Sequence, residues 1–190
     1  MTGVQTCALP IYAVAGLVEL GIINKRGKLL SPDEFTDSIG KVYGKYIFEN
    51  DGTNAFLLVP RSQTEHGRPI MITQNDISSL QLAKGAISAG INVLIEECGI
   101  TIDDINEVLL AGAFGNYLDP HSACVIGLIP RELESKIKMV GNAAGAGSKL
   151  ALLSRTEYNR SVEIADLIKY VELGAYKHFN RKFAEGMRFQ

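Results

Sequence analysis

Apolar positions along the chain keep two periods, and these divide it into elements. From Tyr12 onward, Val14, Leu17 and Val18 recur at i, i+3 and i+4, which predicts the latter part of a helix stopped near Gly21. Tyr46-Ile47-Phe48 and Phe56-Leu57-Leu58-Val59 flank Asn50-Asp51-Gly52-Thr53-Asn54, and Asp-Gly between two apolar runs predicts a β-hairpin. A polar loop over residues 60–68 leads to another short apolar run, Pro69-Ile70-Met71-Ile72, read as a strand. The longest helix opens at Thr73, whose hydroxyl is placed to cap while Asp76 sits in the favourable first turn. Ile77, Leu80, Ala83, Ile87, Ile91, Leu94, Ile95 and Cys98 predict its buried face, and Gly99 its left-handed stop. At 1.5 Å per residue, about 24 residues make a rod of about 36 Å.

The chain is organised around Val108-Leu109-Leu110-Ala111-Gly112-Ala113-Phe114-Gly115-Asn116-Tyr117. Four apolar residues between Glu107 and Gly112 predict a strand buried on both faces, and so a sheet with helices on either side. Ile137 to Val140 predicts a second buried strand. Ligands of open α/β sheets sit beyond the carboxyl ends of strands, where the Gly112–Asn116 loop falls. Gly112 and Gly115 either admit a flat or anionic ligand to the backbone or make a tight strand-to-helix turn. Gly141-Asn142 turns the second strand into a helix over 143–153, whose start, Ala143-Ala144-Gly145-Ala146-Gly147, is nearly bare of side chains. Such a start leaves N–H groups available to a phosphate or ribose, or packs closely on a sheet. Asp119-Pro120-His121-Ser122 predicts a short helix capped at Ser122. Thr156 to Lys169 predicts an amphipathic helix packing through Val162, Ile164, Ala165, Leu167 and Ile168, followed by an edge strand at Tyr170–Leu173. A closing helix spans Tyr176 to Phe189, with Phe179, Phe183 and Met187 as a packing stripe.

Composition narrows the possibilities. With 190 residues, 46% of them hydrophobic, the chain can bury one core. Nineteen basic residues against 21 acidic give a net charge of −2 with no basic stripe, which argues against nucleic acid and anionic membrane as partners. No apolar run approaches the ~20 residues of a transmembrane helix, and no charged n-region opens the chain, so the expected location is cytoplasmic. Cys7, Cys98 and Cys124 form no CxxC pair, and Cys98 and Cys124 read as small buried hydrophobes. Lys25-Arg26-Gly27-Lys28 reads as a solvated turn, and His121 as a loop histidine with no Cys, Ser or carboxylate beside it in a nucleophile pattern. Met1 to Ile11 has neither period; it resembles translated adapter readthrough at the edge of an assembled gene fragment, and residues 12–190 are taken as the domain.

Thr73 to Gly99, Val108 to Tyr117 and Val140 to Leu153 together resemble the C-terminal part of the reductive activators of corrinoid proteins, with LLAGAFGNYLDP and VGNAAGAGSKLALLS the sharpest stretches. Those activators are ATP-dependent iron-sulfur proteins of the actin, heat-shock chaperone and sugar-kinase (ASKHA) superfamily. The resemblance implies an α/β, ribonuclease H-like lobe, with a mixed sheet flanked by helices and truncated at its N-terminus. It implies ATP with Mg²⁺ as cofactor, a [2Fe–2S] cluster only in an N-terminal domain outside this chain, and a corrinoid iron-sulfur or corrinoid methyltransferase protein as partner. In such a parent, a protein of anaerobic metabolism, ATP hydrolysis drives electrons uphill to return Co(II) corrinoid to Co(I). Nucleotide contacts are implied at Gly112, Ala113, Phe114, Gly115, Asn116, Gly141 and Asn142. From the heat-shock chaperone members, a Glu/Lys/Ser stripe reaching adenine and ribose carries over to Gln81, Lys84 and Ser88, with Gln in place of Glu. Asp51-Gly52-Thr53-Asn54 lacks the spacer of the superfamily's Asp-x-Gly-Thr phosphate loop and reads as a plain turn. No catalytic residue or metal ligand is assigned, so these residues alone are not expected to hydrolyse ATP. Two other readings stay open: a non-catalytic lobe that recognises the corrinoid protein or forms a homodimer, and an ASKHA small-molecule kinase lobe.

Overall fold

A computed structural model describes residues 3–35, 38–112 and 117–190, the first six of these as backbone alone. Helix α1 (Gly3–Glu19) begins well before Tyr12, and Gly21 ends it with φ +69°. Ile11 extends the Val14/Leu17 stripe by one step and is buried with it. Residues 22–35 cross back over the core, with a turn over 24–28 closed by the Ile23–Leu29 bridge. After α2 (Ser38–Tyr43) come three antiparallel strands in sequential order, β1 (Ile47–Asn50), β2 (Thr53–Val59) and β3 (Ile70–Thr73). Asp51 (φ +49°) and Gly52 (φ +75°) make the expected two-residue turn between β1 and β2; two left-handed residues match the twist of the flanking strands.

Helix α3 (Gln74–Glu97) starts as its sequence dictates. Thr73 Oγ1 accepts from the Asp76 N–H at 3.2 Å, and Asp76 Oδ2 accepts from the Thr73 N–H at 2.9 Å. Its buried face differs from expectation. Ile77, Lys84, Gly85, Ala89 and Val93 are buried, whereas Leu82, Ile87, Leu94 and Cys98 are exposed. Apolar residues nearly encircle this helix, so periodicity does not choose a face; its partner, α7 (Phe179–Gly186), does. The two backbones meet at glycines: a Cβ on Gly186 would lie 2.9 Å from the Gly85 carbonyl oxygen. Phe179 and Phe183 stack at 6.2 Å, and Met187 rests against Gly85, so the predicted stripe packs. Helix α7 is shorter than its apolar pattern, because His178 takes a left-handed conformation (φ +69°) immediately before it.

The remaining strands, β4 (Val108–Ala111) and β5 (Ile137–Gly141), pair in parallel in a separate sheet. Parallel and antiparallel pairing are thus both present, divided between two small sheets. Neither β4 nor β5 is buried on both faces. Val108, Leu110 and Ile137 pack against the core, while Leu109 is 57% exposed and Met139 and Val140 also face outward. A two-stranded sheet with one face on the core alternates in burial, as β4 does. Between these strands, α4 (Pro120–Val125) is capped by Asp119 rather than Ser122: Asp119 Oδ2 accepts from the Ser122 N–H at 2.7 Å, and Pro120 takes the first helical position, where no N–H is needed.

Helices α5 (Ala143–Leu153) and α6 (Arg155–Leu167) pack on each other, with Ser154 closing one and capping the next. Neither buries a residue: Val162, Ile164, Leu167 and Ile168, expected to pack, are all exposed. Tyr170 to Leu173 forms no strand, since the described residues offer no neighbouring strand to pair with it. The core lies between α1, the antiparallel sheet, the start of α3 and residues 118–133, with Val14, Ile22, Ile77, Val125 and Ile126 fully buried. No described helix is long and apolar enough to cross a membrane.

Candidate functional site

Parallel pairing brings the carboxyl ends of β4 and β5 side by side. The register runs Val108–Ile137 to Leu110–Met139, then slips so that Ala111 faces Gly141. The Gly112 N–H then donates to the Gly141 carbonyl at 2.7 Å. Gly112 (φ +76°) and Gly141 (φ +61°) are both left-handed, a conformation that side chains resist. Among the described residues nothing lies within 4 Å of a Cβ built on Gly112, so its backbone conformation is what requires glycine there.

Asn142 begins α5, its Oδ1 accepting from the Gly145 N–H at 2.9 Å. That bond uses one of the N–H groups that a bare helix start would otherwise offer to a ligand. It also accounts for one small residue, because a Cβ on Gly145 would lie 2.6 Å from the Asn142 side-chain nitrogen. Ala143, Ala144 and Gly147 remain open to solvent. Gly112, Gly141 and Asn142 supply no acid, base or nucleophile. Ala113, Phe114, Gly115 and Asn116 lie outside the described residues.

Gln81, Lys84 and Ser88 share a stripe of α3 along which residues 186–188 pack, burying Lys84 and leaving Gln81 and Ser88 half-buried. Gln81 Nε2 donates to the carbonyls of Arg26 (3.1 Å) and Met187 (2.9 Å). Lys84 Nζ donates to the Arg188 carbonyl and lies 5.1 Å from the Phe189 ring centroid. At 1% exposure, and with no carboxylate partner among the described residues, burial pushes its pKa down to about 8. Ser88 faces Gly186. Close packing of α7, with the chain continuing to Phe189 in the core, makes this stripe part of the seam between α3 and α7.

Two further clusters were not legible in the sequence. His121 Nε2 lies 2.8 Å from Glu19 Oε1, and Nδ1 lies 3.0 Å from Glu134 Oε1. The Glu19 bond foremost, then the Glu134 bond, raises the imidazole above its ordinary pKa. With no nucleophile attached, the cluster ties α1 to α4 and the 131–136 turn. The other is a cleft of about 500 Å³ beside Arg26 and Lys28, flanked by the β1–β2 turn and the start of α3. Its one sequence signal is the basic turn read as solvated. Among the described residues, no group of three or more His, Cys, Asp or Glu side chains is placed to hold a metal ion. Cys98 is exposed and Cys124 buried, its thiol pushed up to about 11 chiefly by burial.

Residues 7–190 match the family model described as the C-terminal domain of RACo, the ASKHA domain. The match therefore begins inside the segment that resembles adapter readthrough. The corrinoid activation enzyme RamQ of Eubacterium limosum is 35% identical over 169 residues, 89% of this chain and 28% of that protein. A [Co(II) methylated amine-specific corrinoid protein] reductase of Methanosarcina barkeri is 32% identical over 113 residues, 60% of this chain and 21% of that protein. A solved reductive activator for corrinoid, iron-sulfur protein superposes with a TM-score of 0.80 at 31% identity, covering 94% of this chain and 27% of that one. The chain thus spans under a third of the length of each.

Proposed function

We propose, from the premise that this chain belongs to the family of the RACo C-terminal ASKHA domain, that it is the nucleotide-holding lobe of an ATP-dependent reductive activator of a corrinoid protein. In the whole protein, ATP hydrolysis would be coupled to electron delivery from a [2Fe–2S] domain to Co(II) corrinoid, restoring the Co(I) state needed for methyl transfer. The residues of this chain that would hold the nucleoside are Gly112, Gly141 and Asn142. The observation that carries the reading is the bond between Gly112 and Gly141, which joins two left-handed glycines and an exposed helix start at the ends of parallel strands. Magnesium and the iron-sulfur cluster are not assigned to residues of this lobe; its proposed contacts are to the nucleoside. Gln81, Lys84 and Ser88 are left out of those contacts because the Gln81 side-chain nitrogen and the Lys84 amine donate to the carbonyls of Met187 and Arg188, and Ser88 faces Gly186.

Alone, the lobe would bind weakly. Moving from a micromolar to a millimolar site corresponds to about 4 kcal/mol. Titrating ATP into the ¹⁵N-labelled protein should shift the amides of Gly112, Gly141 and Asn142 on a saturating curve of about millimolar midpoint. Amides that stay silent at saturating ATP would overturn the reading.

A second reading is favoured by the exposed apolar residues of the α5–α6 region, among them Leu152, Leu153, Leu167 and Ile168. There the lobe recognises the corrinoid protein or pairs with a second copy, and its glycines serve the turn alone. Concentration-dependent mass in sedimentation, combined with a silent ATP titration, would select it.

A further inference from the structure

The cleft beside Arg26 is more rigid than a solvated turn. Three side-chain amides hold its wall. Gln74 accepts from the Leu29 N–H at 2.9 Å and donates to the Gly27 carbonyl at 2.7 Å. Asn54 Nδ2 donates to the Leu29 carbonyl and to Ser31 Oγ, both at 3.0 Å, and Gln81 Nε2 donates to the Arg26 carbonyl. Asn24 Oδ1 accepts from the N–H groups of Arg26 and Lys28, fixing the turn from within. A wall fixed in this way needs little ordering when something binds.

The hydrogen-bonding groups left over define what fits. Among the described residues, the Arg26 guanidinium has no ion pair and no hydrogen-bond partner; Lys28 pairs with Glu34 at 2.6 Å and keeps further N–H groups. No carboxylate lines the cleft, although the chain carries a net charge of −2. The hydroxyls of Thr53 and Ser78 already donate to backbone carbonyls, so they offer only lone pairs, and so do the carboxamide oxygens of Asn54 and Gln81. Cationic donors thus stand beside neutral acceptors. A ligand that satisfies both carries an anion for Arg26 and Lys28 and hydroxyls for the acceptors. A volume of about 500 Å³ has room for a sugar-sized molecule.

We propose that this cleft binds the phosphate ester of a hydroxylated group, with Arg26 as its principal anchor. The inference does not rest on nucleotide binding at Gly112. Calorimetric titration of the protein with ribose 5-phosphate, at fixed ionic strength, should saturate, and Arg26→Ala should weaken binding at least about tenfold, as expected for a charge-assisted contact. That variant should keep the parent's circular dichroism, since the side chain makes no described polar contact. Lys41→Ala, a surface charge outside the cleft, should bind as the parent does. In ¹⁵N spectra the shifts should fall at Gly27–Leu29, which separates this cleft from Gly112–Asn142. AMP shifting the same amides more strongly than ribose 5-phosphate would support the site with a nucleotide as the source of the ester; equal shifts would support it with a free sugar phosphate as the source. Inorganic phosphate binding as tightly as the ester would overturn the role of the hydroxyls, and a non-saturating response, or unchanged binding in Arg26→Ala, would overturn the proposal.

Discussion

The body around α1, the antiparallel sheet and α4 and the helical pair α5–α6 differ in what holds them. Side chains lock the body: Val14, Ile22, Ile77 and Val125 are fully buried, and elements far apart in sequence contribute them. The helical pair buries no residue and is tied in by hydrogen bonds to the backbone: the β4–β5 ladder, the Gly112–Gly141 bond, and the Asn142 and Ser154 side-chain caps. The candidate nucleotide corner lies at the root of the second region. Sites that must admit a ligand are drawn from such weakly packed parts, where local opening costs less than global unfolding.

The largest expected effect separates the two regions directly. Ile77→Ala removes a fully buried side chain and should cost about 2–5 kcal/mol in urea unfolding. Leu152→Ala, at an 85% exposed position, should change stability by less than about 0.5 kcal/mol. Comparable losses from the two would erase the distinction. Next, Asn142→Ala removes a cap worth about 1 kcal/mol. Amide exchange should quicken over residues 143–146 while the amides of α1 stay protected; a uniform change across the chain would mean that the helical pair unfolds only with the body. The smallest effect lies in the body's pH response. Glu19 and Glu134 favour the imidazolium, so folded His121 keeps its proton to higher pH than the unfolded chain, whose value is near 6.5. The tie is therefore fully present below that value and is lost as pH rises through the raised folded one. His121→Gln should flatten the thermal stability profile across this window; an unchanged profile would show that the two ion pairs contribute nothing measurable.

Local chemistry was legible and partner choice was not. Asp51-Gly52 and Thr73/Asp76 specify a turn and a helix start within four residues, and both form as the sequence reads. Phe179, Phe183 and Met187 sit in the stripe their spacing predicts. In contrast, the buried face of α3 is set by Gly85 meeting Gly186, about a hundred residues later, which no periodicity within the helix records. For the same reason Gln81, Lys84 and Ser88 look like an exposed polar stripe in sequence and become a seam in the fold. His121 meets Glu19 across a comparable separation. Strand β4 reads as fully apolar although only alternate residues face the core, because a run of Val and Leu does not reveal how many of its faces are covered. At the candidate corner the glycines were legible, but their reason was not: Gly112 is needed for its left-handed backbone and Gly145 for a neighbour's cap.

The way residues 187–190 are built in bears on synthesis. Phe189 is part of the core, its N–H donates to the Lys25 carbonyl, and the Gln190 N–H donates to the Val125 carbonyl. A ribosome makes those residues after the described residues they touch, so early collapse of α1 and the hairpin leaves an apolar vacancy that only residues 187–190 can fill. Nascent chains paused shortly before Met187 should therefore remain protease-sensitive and dependent on chaperones, however much secondary structure they have already formed.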